Sequence, residues 1–181
     1  MISADLAEHQ RIANAQFNTA EYSLHAPYLF KYPASPHLSA SMEDIEIDCD
    51  HLEQQTRKLE SQCEHLLIEG AGGLCVPLND STLMTDLVAK LGLPIVLVTS
   101  SKLGSINHTI LSLDYCVQRD LDVRAIIYNE FLNKSQAIFK DSRKVLKRHA
   151  KKLVPNAEWF DLKIDASNFL MSDELTSKLL R

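Results

Sequence analysis

Three short stretches of this 181-residue chain combine groups that bind charge: Glu69-Gly70-Ala71-Gly72-Gly73, Ser100 to Thr109 (SSKLGSINHT), and Asn129-Glu130. All five glycines lie between Gly70 and Gly104. A glutamate at the end of a buried strand puts its carboxylate at the sheet edge. There a hydrated Mg2+ can be held by one or two carboxylates together with phosphate oxygens. The small residues after Glu69 let a phosphate approach the backbone amides. A tight turn with a solvated Glu69 is the competing reading. In the second stretch a helix begins near Ser105, so the amides of Gly104 to Asn107 are expected to be free donors at a helix N-terminus, where an anion is favoured. Plain capping by Ser105, with Asn107 and His108 on the surface, competes with that. Asn129 can offer donor and acceptor to the edge of a purine base, or simply form a turn.

Positioning these groups requires a sheet. Residues 65–68, 94–98 and 123–128 are short, nearly continuous apolar runs ending in polar or glycine-bearing turns, the pattern of buried parallel strands. Residues 82–91 and 105–119 read as helices between them, which gives strand, helix, strand, helix, strand. The expected fold is α/β, a parallel sheet flanked by helices with right-handed crossovers and with ligands at the carboxyl ends of the strands. Residues 4–16 read as a helix capped by Ser3, and 50–62 as an exposed helix with Leu52 and Leu59 inward. Residues 22–42, with Pro27, Pro33 and Pro36, read as an irregular loop. Residues 131–181 are helix-rich.

Composition narrows the function classes. With 45% apolar and 24% charged residues the chain is an ordinary globular protein, and its length fits one domain over residues 1–181. The longest apolar stretch, Leu91 to Val98, is far short of the roughly 20 residues of a membrane span. MISADLAEHQ has no basic region ahead of an apolar run, so no secretory signal and a cytoplasmic location are expected. Cys49, Cys63, Cys75 and Cys116 form no CxxC pair and read as reduced thiols; Cys63 and His65 lack a second pair at zinc spacing. A net charge of -5 argues against nucleic acid as a partner. The basic run Arg143 to Lys152 reads as one solvated helix face.

Taken together, APYLFKYPASPHLSA, LLIEGAGGLCVPL, PIVLVTSSKLGSINHTILS and IIYNE resemble, in order and spacing, the dethiobiotin synthetase family of biotin synthesis, over residues 5 to about 130. KLGSINH and SPH separate that family from related P-loop amidoligases and partitioning ATPases. The resemblance implies a P-loop NTPase-like fold and an ATP- and Mg2+-dependent ligase. That ligase joins CO2 to the two amines of 7,8-diaminononanoate through a carbamate and its phosphorylated mixed anhydride. It further implies that Glu69 and Asp5 serve Mg2+ and ATP, and that Gly70, Ala71 and Gly72 contact the nucleotide. Asn129 would contact adenine, and Pro33 and Pro36 would border the substrate. Leu103, Gly104, Ser105, Ile106 and Asn107 would hold the substrate carboxylate across a homodimer interface. Glu158-Trp159-Phe160 stands where the family has a nucleotide-contacting loop.

The chain also departs from the family. No GxxxxGK[ST] stretch occurs in it, and roughly fifty residues with the P-loop strand and the phosphate-gripping lysines are expected ahead of Asp5. A tyrosine expected about a dozen positions after Asn129 has no match around Phe139 to Ser142. The expectation is therefore an N-terminally truncated synthetase domain with an unpaired interior sheet edge, an exposed apolar groove and impaired activity. The alternative is a non-catalytic homologue or dimerisation partner keeping half of the site. Coding sequence for GxxxxGKT in frame ahead of Met1 would remove support for that alternative. A partitioning-type nucleotide switch is disfavoured by KLGSINH.

Overall fold

The computed structural model describes residues 3–14, 18–130 and 135–162, and these fall into two compact units, residues 1–91 and 92–181. No helix among the described residues is long and apolar enough to cross a membrane.

The first unit is helical. α1 spans Ala4–Ala13, α2 Thr19–His25, α3 Pro36–Ser41, α4 Cys49–Glu60 and α5 Met84–Leu91. Ser3 caps α1 as expected, its hydroxyl accepting from the Leu6 amide at 3.3 Å. The helix expected to run through residue 16 closes at Ala13, because Asn14 turns left-handed at φ 48° and its amide bonds back to Arg11, and residues 15–16 of that expectation lie outside the described residues. The expectation of an irregular 22–42 is corrected by α2 and α3. Pro36 stands at the first turn of α3, where a missing N–H costs nothing and the fixed φ favours helix. α4 starts at Asp48, whose carboxylate accepts from the Asp50 and His51 amides at 2.8 and 3.1 Å. Arg57 of α4 donates to the Leu91 carbonyl at 3.0 Å, and Lys90 of α5 pairs with Asp50 and Glu53 at 2.5 and 2.8 Å. These contacts tie α4 to the end of α5. The core gathers Ala40, Ile47, Leu78, Thr85, Leu87 and Leu91.

The strand expected at residues 65–68 is not formed. Leu67 is 80% and Ile68 46% exposed, and among the described residues no strand pairs with the segment. An apolar run becomes a strand only where a neighbour accepts its ladder hydrogen bonds, and none does here.

The second unit holds the sheet: β1 Ile95–Ser100, α6 Ser105–Gln118, β2 Val123–Asn129, α7 Gln136–Leu153 and β3 Glu158–Leu162. The strands lie parallel in the order β1-β2-β3, with Ser100 opposite Asn129 and Asn129 opposite Leu162. α6 and α7 pack on each other, so both crossover helices cover one region of the sheet. The expected alternation is thus present, displaced by one strand along the chain. β3 takes residues 158–160, which were expected as a loop. Aromatic residues suit a half-buried pleat, and Trp159 stacks on Tyr128 of β2 with centroids 5.9 Å apart. Ala125, Ile126 and Tyr128 of the central strand are buried, as are Leu113 and Cys116 of α6 and Leu146 and Ala150 of α7. Among the described residues β1 is an edge strand, and its Val98 is exposed.

Candidate functional site

In the first unit, Asp5 lies in the first turn of α1 and is exposed. One turn later His9 brings its Nε2 to 3.7 Å from Glu69 Oε2. Residues four apart share a helix face, so the face of α1 bearing Asp5 and His9 is the one met by the Glu69 turn. The Glu69 side chain is 70% exposed and available to a cation. Two exposed carboxylates suit a hard, partly hydrated divalent ion better than a soft one. Among the described residues no cluster of three or more His, Cys, Asp or Glu ligands occurs. Gly70 runs against the Met84 side chain, and a Cβ at Gly72 would meet Val76 at 3.0 Å while φ is +85°. The turn's compactness therefore depends on glycine at 72. Ala71 is exposed between them, Pro33 is exposed in the irregular segment ahead of α3, and Pro36 opens α3.

In the second unit, the end of β1 and the start of α6 enclose a cleft of about 240 Å³ lined by Thr99, Ser100, Lys102, Ser105, His108 and Thr109 among others. Gly104 precedes α6 at φ 91°, a conformation that an L side chain resists, and a Cβ there would touch the His108 ring at 3.4 Å. No side chain caps this helix. The Ser105 amide is turned back to the Lys102 carbonyl at 2.9 Å and that of His108 to Gly104 at 3.0 Å. Of the four amides expected to be free, that of Ser105 is thus engaged. Those of Gly104, Ile106 and Asn107 have no backbone acceptor among the described residues. Ser105 Oγ is buried without a hydrogen-bond partner, an arrangement that a folded protein ordinarily avoids. Leu103 is 99% exposed and Ile106 half-buried. The start of α6 can receive an anion: it offers amides without a backbone acceptor and the helix dipole, beside a cleft lined by Lys102 and Ser105.

Asn129 is half-buried at the end of β2, between Ser100 and Leu162 in the ladder. Nearby, Arg143 of α7 forms a two-pronged ion pair with Asp161 of β3, Nε to Oδ1 at 2.6 Å and Nη2 to Oδ2, while Trp159 Nε1 donates to Oδ1 at 3.1 Å. Arg143 therefore leaves the solvated basic face to which its spacing assigned it. The guanidinium holds the Asp161 carboxyl below the usual carboxylate range, and burial pushes the Tyr128 phenol up. Tyr128 donates to the Phe139 carbonyl at 3.1 Å. Sequence reasoning missed the His9–Glu69 contact and a buried hydroxyl pair, Thr99 Oγ1 to Thr109 Oγ1 at 2.5 Å. The hydroxyl-rich run Thr99-Ser100-Ser101 closing an apolar strand was the signal for the second.

Residues 3–158 match a family model described as an AAA domain. With its helix-flanked parallel sheet, the chain is of the P-loop NTPase-like α/β class. It is 39% identical over 159 residues to the ATP-dependent dethiobiotin synthetase BioD 2 of Haemophilus ducreyi, covering 87% of this chain and 75% of that protein. It is 42% identical over 146 residues to the ATP-dependent dethiobiotin synthetase BioD of Chlorobaculum tepidum, covering 80% of this chain and 61% of that one. The Pasteurella multocida BioD 2 synthetase is 38% identical over 86% of this chain and 73% of its own length. The chain belongs to the dethiobiotin synthetase family of ATP-dependent ligases.

Proposed function

We propose that these residues form the substrate-carboxylate and metal-facing parts of a cytoplasmic dethiobiotin synthetase. It would close the ureido ring of dethiobiotin from 7,8-diaminononanoate and CO2 with ATP and Mg2+. The observation that carries this reading is the uncapped start of α6, where among the described residues the Gly104, Ile106 and Asn107 amides have no backbone acceptor and the Ser105 hydroxyl, which lines the adjoining cleft, has no hydrogen-bond partner. A carboxylate has the charge and the lone pairs to satisfy all of them. Held there, remote from the reacting amines, it orients the diamine, and Leu103 supplies apolar surface to the methylene chain. In a homodimer, as the family resemblance implies, the carboxylate and the amines would belong to different protomers' halves of one site.

As the family resemblance implies, Asp5 and Glu69 would hold the Mg2+ that neutralises the phosphates, Gly70 to Gly72 would contact the nucleotide, and Asn129 would contact adenine. The protein's contribution is then positioning and charge neutralisation, since the carbamate and the second amine supply the nucleophiles. Pro33 and Pro36 would border the diamine. Residues 1–181 contain no GxxxxGK[ST] stretch to grip and transfer the phosphoryl group. The test has two arms on the purified chain: calorimetric binding of 7,8-diaminononanoate, and dethiobiotin formation with ATP, Mg2+ and bicarbonate. Binding with negligible turnover is expected. Absence of binding overturns the substrate reading, and clear turnover overturns the requirement for a further phosphate-gripping segment.

A further inference from the structure

α6 begins without a capping side chain, whereas Ser3, Asp48 and Ser135 cap α1, α4 and α7 through their side-chain oxygens. Leaving the cap out keeps the Ile106 and Asn107 amides without a backbone acceptor among the described residues. It also removes the local contact that ordinarily anchors a first turn. The anchor stands one turn further in. Thr109 of α6 and Thr99 of β1 are 4% and 8% exposed, and their hydroxyls meet at 2.5 Å. Valine fills the same volume without a polar atom to satisfy, so packing alone does not call for this pair. What the pair supplies is direction, because a hydrogen bond constrains angle as well as distance. Thr109 lies four residues after Ser105, on the same helix face. Fixing the rotation of α6 at Thr109 fixes where Ser105 Oγ and the open amides aim.

We propose that Thr109 is a positioning residue of this site: its hydrogen bond to Thr99 orients the uncapped first turn of α6 so that its amides and the Ser105 hydroxyl converge on the bound carboxylate. The inference rests on the carboxylate reading above, and its test separates the two. Thr109→Val and Thr109→Ser are compared with the unsubstituted full chain. The first readout is hydrogen exchange at the His108 amide, the first-turn donor to Gly104. The second is calorimetric affinity for 7,8-diaminononanoate and for its carboxamide. Thr109→Val is expected to speed His108 exchange roughly fivefold, with Leu113 and Cys116 amides unchanged, and to weaken binding of the acid but not of the carboxamide by a similar factor. Thr109→Ser, which keeps the hydroxyl, restores both. Unchanged His108 exchange, or acceleration spread equally through Cys116, overturns the strut. Equal weakening for acid and carboxamide overturns the positioning role. If the unsubstituted chain binds acid and carboxamide alike, the carboxylate reading fails, and the exchange readout then decides the strut by itself.

Discussion

Ser105 separates a functional group from a structural one. A buried hydroxyl without a partner costs about 1–3 kcal/mol of desolvation, so Ser105→Ala should leave the melting temperature equal or higher, while affinity for 7,8-diaminononanoate falls roughly tenfold. Loss of stability with unchanged affinity would make Ser105 a core residue and nothing more. Glu69 faces the opposite demand, since its exposed carboxylate contributes little to folding through His9. Glu69→Gln is expected to keep the fold and to weaken Mg2+-dependent ATP binding by roughly tenfold or more. Titration of ATP with and without Mg2+ measures this, and an unaltered Mg2+ dependence would remove Glu69 from the metal. Both side chains were legible as residue types at particular spacings, because glycine turns and helix starts are written locally. The Thr99–Thr109 pair was not, because it depends on how a strand and a helix meet.

Among elements, β1, α6, β2 and α4 formed close to where periodicity and caps placed them, since each pairs a local signal with a partner to pack on. Residues 65–68 carry the same apolar signal and did not become a strand, because strand formation is a property of pairs and no ladder neighbour exists for them among the described residues. β3 shows the converse. EWFDL lacks a continuous apolar pattern; beside its ladder with β2, Trp159 stacks on Tyr128 of that strand, and Asp161 is tied to α7 through its ion pair with Arg143. That ion pair gives β3 an acid dependence. Asp161 has its pKa lowered in the fold, chiefly by hydrogen bonding from Arg143. Its contribution is therefore present above the unfolded carboxyl value of about 3.9 and is lost as pH falls through the lower folded value. Asp161→Asn should lower stability at neutral pH and flatten the acid limb below about pH 4, read from thermal melts followed by the fluorescence of Trp159, the single tryptophan. An acid limb identical to that of the unsubstituted protein would contradict this role.

For the whole molecule, membership of the dethiobiotin synthetase family and the parallel α/β sheet agree with what KLGSINH, EGAGG and the strand–helix alternation implied. Under the proposed reading, the exposed Glu69 turn would serve a cation and the uncapped start of α6 a carboxylate. Their roles in one reaction depend on the substrate itself. The most direct measurement is calorimetric titration of the chain with 7,8-diaminononanoate and with its carboxamide. The account predicts saturable binding of the acid and at least about tenfold weaker binding of the carboxamide, since the amide lacks the charge that the α6 N-terminus and Lys102 attract. Equal affinity for the two, or no binding of the acid, would contradict it.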